Sequence, residues 1–408
     1  MMRRRLLLAS AGLLAAPAIV RAQSMRDDRS AGGAGPIRIG EINSYTAAAP
    51  FTLPYRRGWQ VAVEQINAAG GVLGRPIEVI SRDDAGQPQT ALNLATELLD
   101  DQKVDLLAGG YLSNVGLALS DFAASRGALY VAGEPLTDAL VWQKGNRFCY
   151  RLRPSTYMQA AMLLPAAAKL KATRWATVAP NYEYGQSAVK WFRQLLSAAR
   201  PDVRFVAEQT PPLGHIDAAA TVAALEAAKP DAIFNVTFGA DLTAFVRAGN
   251  SRGLFEGREV VSLLTGEPEY LDSLGAETPA GWIVTGYPWD QDHAPANVGF
   301  VAAYRARFNE APRMGSVVGH ALINGIAAGI RRSGSVKAAA MAEHFAGASF
   351  PTAFGDCLWR TQDHQSTLGT YVGRLAVSNG VGRMVDWKYV SGADALPSDA
   401  VVRTLRPG

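Results

Sequence analysis

The residues best placed to do chemistry lie at the ends of hydrophobic runs. After the run 104–108, Gly109-Gly110 leads to Ser113 and Asn114 at the start of a helical pattern, where either could cap the helix. A helix start offers free backbone N–H groups, and a hydroxyl beside them completes a site for a carboxylate or similar polar group. Glu134 follows the run 128–132 in the same way, and Glu267 follows 258–264 within TGEPEY. Tyr184 and Phe238 stand at strand ends before Gly185 and Gly239, with flat faces of the kind that line ligand pockets. Tyr45, after the first run, is a further candidate. A carboxylate taken out of water needs a cation or donors around it. Glu134 is therefore expected to engage an ammonium or amide group of a ligand, the alternative being a solvent-facing loop acid.

These side chains suit capture rather than bond-making. The sequence has no phosphate-binding loop, no nucleophile elbow and no H-E-x-x-H pair. Its histidines, His215, His293, His320, His344 and His364, are dispersed without metal-ligand spacing. The pair Asp83-Asp84 ends a run and reads as a turn or cap. No catalytic residue, metal or cofactor is assigned.

The elements that must position the candidates alternate along the chain. Strand-like runs at 36–42, 77–81, 104–108 and 128–132 alternate with helical patterns at 55–69, 90–101 and 114–125. In the first helix Trp59, Ala62, Val63 and Ile66 share one face. The alternation restarts after 151–155, with strands at 174–179, 203–209, 231–237 and 258–264 between helices at 186–199, 217–228 and 240–252. Such alternation predicts βαβ units and mostly parallel sheets, and two runs of it predict two similar α/β lobes. A strand at 282–289, helices at 297–309, 316–332 and 336–346, and β runs beyond 350 fit segments returning to lobes already begun.

Residues 1–22 carry Arg3-Arg4-Arg5, an apolar stretch from Leu6 and small-residue punctuation at 20–22, the pattern of a secretory signal. The stretch is short for a membrane span, which needs ~20 apolar residues. Export by the general or the twin-arginine route stays open. Residues 23–35 read as a flexible leader. Of the 40 basic residues, four lie in the signal, which has no acid, so the remainder balances at 36 against 36. That balance argues against a nucleic-acid partner, which calls for a basic patch. Cys149 and Cys357 could pair in an oxidising compartment or stay as buried thiols.

Several segments together carry a resemblance. GWQVAVEQINAAGGVLGRP at 58–76 and IEVISRDDAGQP at 77–88 open it, followed in order by GGYLSN at 109–114, YVAGEPLTDAL at 130–140 and FCYRLRPS at 148–155. NYEYGQSA at 181–188 and GWIVTGYPW at 281–289 complete the set. The ordered set resembles the branched-chain amino-acid-binding protein family, the periplasmic receptors of ABC importers. The resemblance implies a type I periplasmic binding fold of two Rossmann-like lobes, 36–155 with 281–348 and 156–280 with 349–408, joined by a three-crossover hinge near Pro154, Ala280 and Phe350. It implies a periplasmic, monomeric receptor for an amino acid, amide or aromatic acid that delivers to an inner-membrane ABC permease. A ligand-sensing module of the same fold, reporting to a signalling partner, is the alternative function. By the same resemblance Ser113 matches a serine that holds the ligand carboxylate, Tyr184 a pocket tyrosine, and Glu267 an acid that meets the ligand amine. Phe238 matches less closely. Glu134 departs from the pattern, which has small residues and a threonine in that loop.

Overall fold

The computed structural model describes residues 35–406. The signal and nearly all of the leader lie outside the described residues. The first βα run builds a parallel five-stranded sheet from β1 (Ile37–Asn43), β2 (Ile77–Asp83), β3 (Leu106–Gly109), β4 (Tyr130–Ala132) and β5 (Cys149–Arg151), in the order β2-β1-β3-β4-β5. Its connections are helices α1 (Ala49–Ala68), α2 (Pro88–Asp100) and α3 (Ser113–Arg126). α3 stops at Gly127, whose φ of 60° is the left-handed cap conformation that glycine adopts without a Cβ clash.

The second run contributes α4 (Thr156–Ala167), β6 (Arg174–Val178), α5 (Glu183–Ala199), β7 (Arg204–Gln209), α6 (Ala218–Ala228), β8 (Ala232–Asn235), α7 (Gly239–Ser251), β9 (Glu259–Gly266) and α8 (Pro268–Leu274). The Ser155 hydroxyl caps α4 by accepting from the Met158 N–H at 3.1 Å. The chain continues through β10 (Ile283–Gly286), α9 (Pro295–Phe308), α10 (Met314–Ser333), α11 (Ala338–His344), β11 (Ser349–Thr352), β12 (Gly355–Leu358), β13 (Thr370–Ser378) and β14 (Val381–Val390). The second sheet has seven strands in the order β14-β13-β10-β9-β8-β6-β7, parallel except for the hairpin β13–β14. Asn379 and Gly380 turn that hairpin with φ of 52° and 76°, the signs a type I′ turn requires.

β10 pairs with β9 and β13 in the seven-stranded sheet, whereas the sequence places 281–348 in the first lobe. The strand is apolar and buried, and such a run does not say which sheet it enters. Likewise the β11–β12 hairpin packs on α10 beside the first sheet, while its sequence assignment is to the second lobe.

α10 returns to the first lobe and packs along α1 at glycines. A Cβ on Gly319 would stand 2.1 Å from the Tyr55 carbonyl oxygen, and one on Gly58 would stand 2.0 Å from that of Ser316. Both thiols are buried and free: Cys149 lies in β5 and Cys357 in β12. No helix among the described residues is long and apolar enough to cross a membrane.

Candidate functional site

The carboxyl ends of both sheets face one closed cleft, the position where open α/β sheets bind ligands. β3 ends at Gly109 and Gly110, with φ of 102° and 83°. A Cβ on Gly109 would lie 2.4 Å from the Ile42 carbonyl oxygen, so only glycine lets the chain turn this close. The turn delivers Tyr111 and then Ser113, the first residue of α3. The cap position belongs to Leu112, and neither Ser113 nor Asn114 caps the helix by its side chain. The Ser113 hydroxyl instead accepts from the Thr137 N–H at 3.2 Å.

Glu134 follows β4 and Arg153 follows β5, both in the first lobe. Glu267 follows β9 in the second lobe, at the residue before α8. The Arg153 guanidinium donates to Glu134 through Nη1 and to Glu267 through Nη2, joining the lobes. All three are sealed from solvent, with exposures of 4%, 2% and 1% for Glu134, Arg153 and Glu267. Burial pushes the Glu134 carboxyl well above the usual range, and the charge of Arg153 only partly offsets it. Glu267 is raised for the same reason. For Arg153, burial favours the neutral form, but the charges of Glu134 and Glu267 outweigh it and hold the guanidinium ionised.

A third acid, Glu269 in α8, is buried beside them and is pushed up to about 8 by burial and by the charge of Glu267. Its oxygens accept from the N–H groups of Met314 at 3.2 Å and Gly315 at 2.7 Å. An acid of the second lobe thus caps the first turn of α10 in the first lobe, satisfying two of the backbone N–H groups that a helix start leaves without partners. Arg313 and Asp272 pair alongside at 2.7 Å.

Aromatic rings close the remaining sides. Tyr184 and Phe238 meet edge to face at 5.7 Å, and Phe238 meets Tyr111 of the opposite lobe at 6.3 Å. Tyr182 lies 6.0 Å from Tyr184 and 6.4 Å from Phe238. Between these rings, Ser113 and Glu134 is a cavity of ≈ 20 Å³, room for about one water. Two lining residues carry buried polar atoms without a partner, Glu134 Oε2 and the Tyr184 hydroxyl, and so does Glu267 at its Oε2, on the far side of Arg153.

Of the residues expected from sequence, Ser113, Glu134, Tyr184 and Phe238 line this cavity, and Glu267 joins them through Arg153. Asn114 is exposed on α3, one helical position away from the cleft. Tyr45 is buried away from the cavity, where its hydroxyl donates to Glu41 Oε2 at 2.9 Å and its ring carries the Arg56 guanidinium at 3.7 Å. Arg153, Glu269, Tyr111 and Tyr182 escaped the sequence. Tyr111 stood within the glycine turn already singled out, and Arg153 stood just past a strand end, but only pairing across the lobes gives them a role. The pair Asp83-Asp84 does serve the turn: Asp84 accepts from the Ser44 hydroxyl and the Gly86 N–H, both at 2.7 Å. No group of metal-ligating side chains occurs among the described residues.

Comparison with known proteins matches residues 36–380 to a family model described as periplasmic binding protein. Leu/Ile/Val-binding protein homolog 7 of Brucella melitensis is 27% identical over 318 residues, 72% of this chain and 77% of that protein. The Leu/Ile/Val-binding protein of Escherichia coli is 24% identical over 310 residues, 74% and 80% of the two chains. Among solved structures, a solute-binding protein of an ABC transporter from Rhodopseudomonas palustris, in complex with 3,4-dihydroxybenzoic acid, superposes with a TM-score of 0.78. It shares 21% identity over 88% of this chain and 98% of its own. An amino-acid ABC transporter substrate-binding protein from Pseudomonas fluorescens gives 0.78, with 20% identity over 91% and 99%.

Proposed function

Because the chain belongs to the periplasmic binding protein family, we propose that it is a solute-binding receptor that feeds an ABC importer and takes ligands bearing a protonated, N–H-rich group. It would work in the periplasm as a monomer after loss of residues 1–22. The observation that carries the ligand class is the pair of unpartnered oxygens, Glu134 Oε2 and Glu267 Oε2, one from each lobe. A buried acceptor without a donor costs about 1–3 kcal/mol, and more when charged. An ammonium or amidinium between these oxygens would satisfy both while Arg153 keeps the other two. The charge count supports the same reading. Burial favours the neutral acids, and a bound cation favours their ionised forms; with both ionised, Glu134 and Glu267 carry one negative charge more than Arg153 offsets, so one cation balances the group. The rings of Tyr182, Tyr184 and Phe238 would flank it, adding cation–π attraction.

Ligand affinity measured by calorimetry on refolded, ligand-free protein tests this, with amino acids, amides and aromatic carboxylates as the panel. Hits are expected among molecules with a free amino or amidino group, and Glu134→Gln is expected to weaken them by about tenfold or more. Binding confined to aromatic carboxylates without an amine, unaffected by Glu134→Gln, would overturn the ligand class.

A further inference from the structure

A second and larger cavity of ≈ 590 Å³ adjoins the inner one, and Tyr111 and Phe238 line both. Its walls come from the two lobes, with Phe51 and Leu112 from the first and Leu213 and Ala240 from the second. We propose that this outer chamber is a second compartment of the binding site, taking the apolar body of a two-part ligand whose cationic head rests at Glu134 and Glu267. The class is then an amine or amidine with a bulky hydrocarbon or aryl substituent, rather than a small free amino acid. The inference rests on the cationic head of the proposed function and goes beyond it.

Two contrasts between the compartments carry the assignment. The first is size: the inner cavity holds about one water, whereas pockets for whole ligands run from about 300 to 1,000 Å³. The outer chamber falls in that range. The second contrast is polar satisfaction. The inner cavity is lined by two residues with unpartnered polar atoms, Glu134 at Oε2 and Tyr184 at its hydroxyl. The two acids of the outer chamber are already paired: Glu269 takes two N–H groups of α10, and Asp241 takes those of Gly214 at 2.7 Å and Ile216 at 3.1 Å. Polar groups satisfied from behind leave walls that gain most from apolar contact. Tyr111, which meets Phe51 at 5.4 Å with the rings tilted by 47° and meets Phe238 edge-on, forms the partition that a ligand spanning both would thread.

Four probes separate head from body: butylamine, 4-phenylbutylamine, butyrate and 4-phenylbutyrate, with dissociation constants measured on the ligand-free mature protein. The phenyl group is expected to tighten the amine at least about tenfold. That ratio should fall towards one in Ala47→Trp and in Ala240→Trp, which fill the chamber from exposed positions on opposite lobes. Glu134→Gln should weaken both amines and keep their ratio. Equal affinity for the two amines, or a ratio unmoved by either tryptophan, overturns the chamber. If neither amine binds but 4-phenylbutyrate exceeds butyrate by a ratio that the tryptophans erase, the chamber stands and the cationic head is overturned. Silence from all four probes overturns both.

Discussion

Arg153 holds together two acids that would otherwise face each other across the cleft. Removing one partner from a buried ion cluster leaves charge uncompensated, typically costing 3–5 kcal/mol. Arg153→Met is therefore expected to lower the unfolding free energy by about 3 kcal/mol in urea titration. Adding Glu134→Gln to that variant should recover part of the loss, and no recovery would mean that the acids are not the source. Glu41 offers a pH signature. Burial pushes its carboxyl up to about 7, against the opposing hydrogen bonds from Ser81 and Tyr45 and the charge of Arg56. The folded protein then binds the proton more tightly than the unfolded chain. The associated stability is complete below about 4.5 and is lost as pH rises through about 7, a span worth about 3 kcal/mol. Denaturation of wild type and Glu41→Gln across this window should show a shallower slope in the variant, the remainder coming from Glu269 and the other raised acids.

Helices α1 and α10 show what glycine does in an element otherwise built for apolar contact. Gly58, Gly315 and Gly319 let the two backbones touch, since each would place a Cβ within 2.3 Å of a carbonyl oxygen on the other helix. Gly319→Ala should force the pair apart and cost about 2 kcal/mol or more, read as a lower urea midpoint. These glycines were invisible as contacts in the sequence, where they look like interruptions of a helical pattern. The strands and helices themselves were legible, because short apolar runs alternate with patterns of period 3.6. The same rule exposed Ser113, Glu134, Tyr184, Phe238 and Glu267, since each ends a strand or opens the helix after it. Arg153 was not legible as a site residue. Nothing in RLRPS says that its second arginine, rather than its first, reaches the other lobe. Arg151 is instead spent inside the first lobe's end of the crossover, donating to Gln365 Oε1 at 2.5 Å and to the Thr137 carbonyl. Strand-sheet membership was lost for the same kind of reason: β10 and the β11–β12 hairpin have patterns that fit either lobe.

Across the whole molecule, closure is also held by contacts outside the inner cavity. Glu269 on the first turn of α10, with Arg313–Asp272 beside it, joins the lobes near the cleft mouth. A ligand drives closure only through contacts better made in the closed state, and these contacts add to that bias without touching the inner cavity. Glu269→Ala should shift the free protein towards an open form, seen as a larger radius of gyration in X-ray scattering, with saturating ligand restoring the compact value. An unchanged radius in the free variant would show that the cap does not contribute to closure.

The two free thiols give this architecture a built-in clock. Both belong to the first lobe, Cys149 within its sheet and Cys357 in the hairpin against α10, and burial pushes the thiols up to about 11 and about 12. Neither will react with an alkylating reagent until the surrounding strand has come apart. Alkylation of the native protein therefore times the local unravelling of one lobe while the other goes unmarked. If ligand slows that reaction as strongly as it slows global unfolding, the lobes unfold as one unit; if not, the first lobe can come apart on its own.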